Sequence, residues 1–153
     1  MTLQFGTDGV RGHTLTELTP EFATALGRAA AQVLGGGAWI VGWDPRESSQ
    51  QLATAVADGL AGAGAEVCLA GVLPTPAVAA AGARDGVPTA MITASHNPWH
   101  DNGVKFFAAG GHKLTDATEQ AIESHLPPRP PGPPTLPPRS CHRMNELSVH
   151  AVT

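Results

Sequence analysis

The chain has 153 residues, 42% of them hydrophobic, and a formal net charge of −4, because 13 Asp and Glu side chains outnumber nine Lys and Arg side chains. Binding to a nucleic-acid backbone needs a basic surface, so nucleic acid is excluded as the main partner. No run of about 18 apolar residues and no signal-peptide pattern occurs, which predicts a cytoplasmic domain with no membrane partner. Cys68 and Cys141 lie far apart and are expected to be free thiols.

Helix and strand patterns alternate as far as Leu126. Thr19 suits an N-cap, Pro20 the first helical position and Glu21 the first turn, and residues 35–37 are all glycine. These features predict a helix over residues 19–34 that ends at the glycines. In chain order, the other predicted elements are strands at 3–5 and 38–43, a helix at 48–64 capped by Ser48 or Ser49, a strand at 65–70, a short helix at 76–86, strands at 87–93 and 102–109, and a helix at 115–126 with Asp116 and Glu119 spaced as a capping box.

This alternation predicts an α/β fold, a three-layer α/β/α sandwich with a mixed, mostly parallel sheet. Ligands of such sheets bind beyond the carboxyl ends of the strands. Polar segments follow three of the predicted strands: GTDGVRG after residue 5, DPRES after residue 43, and a segment containing Ser95 after residue 93. We therefore expect three polar loops to converge on one edge of the sheet.

The composition changes at Leu126, which predicts a domain over residues 1–126 and a separate tail over residues 127–153. Eight of the 14 prolines lie between Pro127 and Pro138. Proline fixes φ and lacks an N–H donor, so an irregular, extended or disordered proline-rich tail is predicted. A ligand for a proline-binding module is the alternative. The tail is interpreted either as a linker or as the product of a shifted reading frame that truncates the chain.

The segment TASHNPWHDNGVKF crowds chemically active side chains into one loop. A hydrolase would need a base within reach of Ser95 and usually a G-x-S-x-G turn, and no such turn is present. A metal site is disfavoured because no standard ligand spacing occurs among the candidates His96, His100, Asp101 and His112. Surface histidines are the simpler interpretation of His100 and His112.

A phosphorylated Ser95 would require fewer specific sequence features than a hydrolase triad or a metal site. A phosphate dianion needs backbone donors, nearby cations and often a divalent metal, and Arg11 and Arg46 in the two other polar loops could supply the cations. Lys105 follows a predicted turn at residues 102–103, and the next strand would carry its ammonium back past the serine. There it could exchange a proton with a substrate hydroxyl. A solvated strand lysine is the alternative.

Three segments resemble those of the α-D-phosphohexomutase family. TASHNPWHDNGVKFF is similar to the family's phosphoserine loop, FGTDGVRG to its N-terminal motif, and GWDPRESS to a third segment, in the family's order and over about residues 1–126. The resemblance implies a reaction in which a phosphoserine gives its phosphoryl group to a hexose or hexosamine phosphate and regains the other one. Phosphate thereby moves between O6 and O1. The N-terminal motif is most similar to that of the branch converting glucosamine 6-phosphate to glucosamine 1-phosphate.

The resemblance also implies roles for individual residues. Ser95 would be the phosphorylated serine, with its phosphate as one ligand of Mg²⁺, and Arg11 would contact that phosphate. Lys105 would be the acid or base, with His96 as its competitor. The residues implied to bind substrate or phosphate and to shape the pocket are Thr7, Gly9, Arg46, Asn97 and Asn102.

The chain departs from the family pattern in one large respect. Family enzymes have four domains, whereas the resemblance here covers the first alone, and the aspartate-rich D-G-D-x-D loop that completes the Mg²⁺ site does not occur. We therefore expect a truncated first domain that is inactive alone. The alternatives are a non-catalytic phosphosugar-binding module whose tail recruits a partner, and assembly in trans with a chain carrying the missing domains. Weak self-association through the face left open is also expected.

Overall fold

A computed structural model describes residues 4–6 and 9–126 and the backbone of residues 139–140. The strands are β1 (Val10–His13), β2 (Ala38–Trp43), β3 (Glu66–Val72), β4 (Thr89–Ile92), β5 (Asp101–Phe107) and β6 (Arg139–Ser140). The helices are α1 (Pro20–Leu34), α2 (Ser49–Gly62), α3 (Thr75–Asp85) and α4 (Asp116–Ser124). None of the helices in the described part of the chain is long and apolar enough to cross a membrane.

The strands form one sheet in the order β1-β5-β4-β2-β3-β6. β4, β2, β3 and β6 pair in parallel, whereas β5 pairs antiparallel with both β4 and β1. Among the described strands, β5 is thus the one that runs against the others. The predicted mixed, mostly parallel sheet is confirmed.

Two apolar clusters lie on opposite faces of the sheet, as the alternating side chains of strands require. Helices α1, α2 and α4 cover one face, where the core includes Trp39 and Phe106. Helix α3 covers part of the other face, packing against Ile40, Met91 and Phe107. The α/β/α layers predicted from the sequence are therefore confirmed for the described residues.

Helix α1 begins and ends where its sequence signals predict. The Thr19 side chain accepts a hydrogen bond from the Phe22 N–H at 3.2 Å, Pro20 is the first helical residue, and Gly35 is the C-cap. The hydroxyl satisfies one of the backbone donors that a helix N-terminus leaves without a partner. This local chemistry defines the two ends of α1.

Helices α1 and α2 cross at unusually short range because each has a glycine at the contact. A Cβ atom on Gly27 would lie 2.2 Å from the carbonyl oxygen of Val56, and one on Gly59 would lie 2.0 Å from the carbonyl oxygen of Thr24. Both distances are far below van der Waals contact, and protein cores are packed too densely to absorb such an overlap. The crossing therefore requires glycine at both positions.

The first strand is not where the sequence pattern placed it. The strand predicted at residues 3–5 is absent from the described residues Gln4 and Phe5, and β1 instead begins at Val10. Just before it, the Gly6 N–H donates to the Gly9 carbonyl at 2.8 Å. A helix, and not a neighbouring strand, binds this segment: the Phe5 N–H donates to Oε1 of Glu123 in α4 at 2.8 Å. Phe5 packs half-buried against the core without pairing as a strand.

Two further predictions shift by a few residues. The N-cap of α4 is Thr115, whose hydroxyl accepts from the Thr118 N–H at 3.2 Å, so the capping box predicted from Asp116 and Glu119 is wrong by one position. Residues 102–103, predicted as a turn, lie inside β5, which begins at Asp101. Cys68 is half-buried on β3, whereas Cys141 and the predicted proline-rich tail fall outside the described residues apart from the backbone of 139–140.

Asp58, a half-buried carboxylate on α2, tests how this helix packs in the domain. Burial raises the pKa of Asp58, and its Oδ1 has no hydrogen-bond partner among the described residues. Because the folded state binds this proton more tightly than the unfolded state, the charged side chain costs stability above the raised pKa, and the cost disappears as the pH falls towards the ordinary aspartate range.

We expect Asp58→Asn to raise the free energy of unfolding at pH 7, by no more than about 1 kcal/mol because solvent screens a half-buried charge. Urea unfolding of both proteins between pH 7 and pH 4 should show the two stabilities converging at the acid end. A constant difference across that range, or a less stable variant at neutral pH, would contradict the burial of an unpartnered carboxylate.

Candidate functional site

Ser95 lies in a turn directly after β4, with its side chain exposed at the edge of the sheet. Its φ of 51° makes it the one non-glycine residue with positive φ in the described part of the chain. Left-handed backbone costs an ordinary residue about 1 kcal/mol or more, and such strain collects at functional sites. The turn is supported locally, since the Ser95 N–H donates to Oγ1 of Thr93 at 3.1 Å.

Arg46 stabilises the loop that carries Ser95 by hydrogen bonds to its backbone. It lies after β2, and all five N–H donors of its guanidinium reach protein acceptors. The acceptors are the carbonyl oxygens of Ser95 (2.8 Å), Asn97 (2.9 Å), Pro98 (2.8 Å) and Asp101 (3.0 Å) and the carboxylate of Asp44 (3.2 Å). Arg46 therefore binds both ends of the serine loop, defined here as residues 95–101.

This geometry changes the role predicted for Arg46. A direct phosphate contact would need N–H donors of the guanidinium. In the structure, those donors already bond to backbone carbonyls. The planar fork of arginine suits several fixed acceptors at once, which a lysine ammonium cannot match. Arg46 is placed to position the loop, and its phosphate contact stays a prediction.

Asp44 orients Arg46 and joins it to a buried polar network. Its carboxylate accepts from Nε of Arg46 at 3.2 Å, from the Arg46 N–H at 3.1 Å and from the Ser49 hydroxyl. The side-chain amide of Asn102 donates to the hydroxyls of Ser48 at 2.9 Å and Ser49 at 2.8 Å. Asn102 is fully buried, so it has no surface for substrate and supports the site through this network.

Arg11 reaches the serine loop by crossing over a glycine of β5. Its Nη1 donates to Oδ1 of Asn97 at 3.0 Å, two residues beyond Ser95. A Cβ atom on Gly103 would lie 2.9 Å from Cγ of Arg11 and 2.7 Å from the carbonyl oxygen of Thr93. Only glycine at position 103 lets the arginine pass close above the strand.

Gly9 is also placed by backbone sterics. Its φ is 92°, and a Cβ atom there would lie 2.4 Å from the carbonyl oxygen of Val104. Glycine at position 9 thus lets the backbone lie directly against β5 just before β1, the strand that carries Arg11. Thr7, also predicted to shape the pocket, lies outside the described residues.

Lys105 makes no hydrogen bond or ion pair with the serine loop in this structure. It lies on β5 on the same face as Gly103, and its Nζ is 5.3 Å from the centroid of the Phe107 ring, a cation–π contact directed away from the loop. A proton transfer at Ser95 would require a different rotamer. The acid–base role predicted for Lys105 therefore stays a prediction.

The histidines of the segment differ in environment. His96 is exposed and has no hydrogen bond to any residue that the structure describes. The Nε2 of His100 lies 3.6 Å from Oδ1 of Asp101, and its ring lies 4.9 Å from that of His13, centroid to centroid. Among the described residues, no group of three or more His, Cys, Asp or Glu side chains could hold a metal ion.

The structure therefore brings Ser95, Asn97, Arg11 and Arg46 together at one edge of the sheet, where the polar segments were predicted to converge. The residues that sequence reasoning missed are Asp44, Ser48, Ser49, Thr93 and Gly103. The segment GWDPRESS did contain a signal for the first three, because an acidic residue and two hydroxyls follow a buried strand together. An exposed hydroxyl on a rigid, arginine-fastened turn is an arrangement that can carry a covalent group.

Arg46→Lys tests the fastening of the loop. Lysine keeps the charge but loses most of the five hydrogen bonds, each of which contributes about 1 kcal/mol or more when the donor is charged. We expect the amide hydrogens of Asn97 and Asp101 to exchange at least about tenfold faster in the variant. Arg84→Lys, at an exposed position in the last turn of α3, is the control and should leave both rates unchanged. Equal exchange in all three proteins would show that Arg46 does not hold the loop.

Comparison with known proteins gives one consistent family. Residues 2–128 match the family model described as phosphoglucomutase/phosphomannomutase, alpha/beta/alpha domain I. Phosphoglucosamine mutase of Nocardia farcinica is 53% identical over 136 residues, which cover 86% of this chain and 30% of that protein. Phosphoglucosamine mutase of Mycolicibacterium gilvum is 52% identical over 142 residues, with 88% and 32% covered.

A solved structure shows the same relationship in three dimensions. A Thermus thermophilus protein assigned as a phosphomannomutase superposes with a TM-score of 0.80 at 34% sequence identity, covering 92% of this chain and 32% of that one. The chain thus spans about a third of the length of these relatives. It belongs to the phosphoglucomutase/phosphomannomutase family of phosphohexomutases and contains the family's first α/β/α domain.

Proposed function

We propose that this chain is the phosphoserine-bearing part of an enzyme that interconverts glucosamine 6-phosphate and glucosamine 1-phosphate, with Ser95 as the phosphoryl carrier. The observation that supports this most directly is the exposed Ser95 hydroxyl, held in a left-handed turn by Arg46. The matched relatives named phosphoglucosamine mutases support glucosamine phosphate as the substrate. We also propose that the chain is cytoplasmic, in keeping with a sugar phosphate substrate.

The proposed chemistry moves one phosphoryl group at a time. The bond between Oγ of Ser95 and phosphorus breaks, a bond from phosphorus to a sugar hydroxyl forms, and the hydroxyl proton passes to a base. A second transfer returns the other phosphate of the bisphosphorylated sugar to the serine. Such reactions depend on in-line oxygens and on cations that neutralise the moving group.

Three side chains of this chain would assist the transfer. Arg11, whose guanidinium already lies against Asn97, would turn a donor towards the phosphate on Ser95. Lys105 would leave the Phe107 ring and act as acid and base at the sugar hydroxyl, with His96 as the alternative. Thr7 and Gly9 would shape the phosphate pocket from the N-terminal segment.

The Mg²⁺ expected in this family does not fit the described residues of this chain alone. Ser95 would supply one ligand through its phosphate, but no cluster of three or more acidic or histidine side chains is available among the described residues to complete a site. Magnesium prefers near-octahedral oxygen coordination. Any such ion would need ligands from outside this part of the chain.

We also propose that residues 1–126 form the folded unit, that residues 127–153 are a separate tail, and that turnover requires the further domains of the complete architecture. The chain covers only 30–32% of its phosphoglucosamine mutase relatives. Those domains could be supplied by another chain in trans. The isolated chain is expected to show no measurable turnover.

A chimera tests this proposal. Residues 1–126 would replace the matching part of the Nocardia farcinica phosphoglucosamine mutase, and formation of glucosamine 1-phosphate from glucosamine 6-phosphate would be followed in a coupled assay. We expect turnover by the chimera and none by the isolated chain. A folded chimera without turnover, or Ser95-dependent turnover by the isolated chain, would refute the proposal.

A further inference from the structure

A groove of about 550 Å³ lies beside the serine loop, between the end of β1 and the first turns of α1 and α2. Its lining includes His13, Leu15, Glu47, Gln51, Trp99 and His100. The volume falls within the range of small-molecule sites. Ser95, Arg11 and Lys105 do not line it, so it is separate from the proposed phosphoryl site.

One wall of the groove is a row of aromatic rings. The centroids of Trp99 and His100 are 5.6 Å apart in a T-shaped contact, and those of His100 and His13 are 4.9 Å apart. Trp99 is nevertheless 81% exposed, as is Leu15, which also lines the groove. A large indole left open to solvent on a fastened loop offers an unused π face.

The charge in the groove is negative. Glu47 contributes a carboxylate that makes no ion pair with any described residue, and neither Lys nor Arg lines the groove. The ring face of tryptophan attracts cations more strongly than that of any other side chain. An anionic ligand such as a sugar phosphate would instead meet Glu47 without a compensating cation. The lining therefore selects a positively charged ligand with apolar substituents.

We propose that this groove binds an alkylammonium group, seated on the indole of Trp99 with its charge facing Glu47. The side chains proposed to act on the phosphoryl group do not line the groove, although Trp99 and His100 belong to the serine loop that carries Ser95. The ammonium could belong to a free small molecule or to a modified lysine of another protein. The shared chemistry is the cation with methyl or methylene groups around it.

The test is an NMR titration of the full chain at a pH of about 8, above the range in which histidine side chains usually gain a proton. Choline is the probe, and 3,3-dimethylbutan-1-ol is its uncharged counterpart of the same shape. We expect choline to shift the Trp99 indole and the His100 amide saturably and to bind at least about tenfold more tightly than the alcohol. The buried Trp39 indole, bonded to the Gly35 carbonyl, should not move.

Variants distinguish choline binding in the groove from nonspecific choline binding elsewhere on the protein. Trp99→Leu and Glu47→Gln change exposed side chains, so the fold should persist, and we expect each to weaken choline binding at least about threefold. Glu66→Gln, an exposed carboxylate at the start of β3, should leave it unchanged. Tighter binding of acetylated, amidated trimethyllysine than of choline would assign the ammonium to a protein side chain, and the reverse order would assign it to a free amine. Equal affinity for the alcohol, unchanged binding in Trp99→Leu, or no saturable shift would overturn the proposal.

Discussion

Gly59→Ala is expected to lower the free energy of unfolding by about 3 kcal/mol or more, the upper range for overpacking a core. The added Cβ atom would lie 2.0 Å from the carbonyl oxygen of Thr24 and 2.8 Å from the backbone nitrogen of Arg28. Both are main-chain atoms inside α1, so no side-chain rotation relieves the overlap. The two helices would have to move apart and reopen the core between them, which for a domain of this size removes a large share of total stability.

Gly62→Ala is the matched control on the same helix. Its Cβ atom would meet only the end of the Arg28 side chain, at 3.4 Å, which can move. Alanine is also the better helix former, by up to about 1 kcal/mol, so this variant should be as stable as the native protein or slightly more stable. Urea unfolding followed by circular dichroism measures both. If Gly59→Ala matches Gly62→Ala in stability, the close backbone crossing of α1 and α2 is wrong.

Ser95→Ala in the chimera is expected to reduce turnover of glucosamine 6-phosphate at least about 1,000-fold, because removing a covalent carrier eliminates the reaction route itself. The substitution removes one hydroxyl from an exposed turn whose support comes from Arg46 and Thr93. Those hydrogen bonds use the carbonyl and N–H of residue 95, which alanine retains. The loop should therefore keep its conformation but lose the hydroxyl that is proposed to carry the phosphoryl group.

Ser95→Gly separates the loss of the hydroxyl from the strain of the turn. Glycine adopts positive φ without the penalty of about 1 kcal/mol that a side chain incurs, so this domain should be at least as stable as the native one. It should nonetheless be as inactive as Ser95→Ala. Turnover above a tenth of the native rate in either variant would remove Ser95 from the role of carrier.

Local sequence signals predicted much of the fold because they act through neighbouring residues. Thr19, Pro20 and Gly35 define the ends of α1 through capping and φ preferences that need no tertiary partner. The alternation of helices and buried strands likewise predicted the layers, and with them the edge where Ser95 emerges after β4. That a ligand site forms at such an edge follows from the topology.

The supporting residues could not be predicted because their partners are distant in sequence. Arg46 bonds to carbonyls 49 to 55 positions away, and any basic residue after β2 would have given the same sequence pattern. The Asn102–Gly103 pair carries a strong turn signal, yet Gly103 is needed inside β5 to let Arg11 pass. Tertiary packing here overrides a local preference, which is common where a chain builds a site.

Phosphate mapping on the chimera tests the central claim most directly. After exposure to glucosamine 1,6-bisphosphate and removal of free ligand, tandem mass spectrometry of the digested protein would locate any covalent phosphoryl group. We expect one phosphoryl group on Ser95 of the peptide containing residues 93–106, and none in Ser95→Ala. An active chimera whose phosphoryl group lies on another residue, or that carries none, would contradict it.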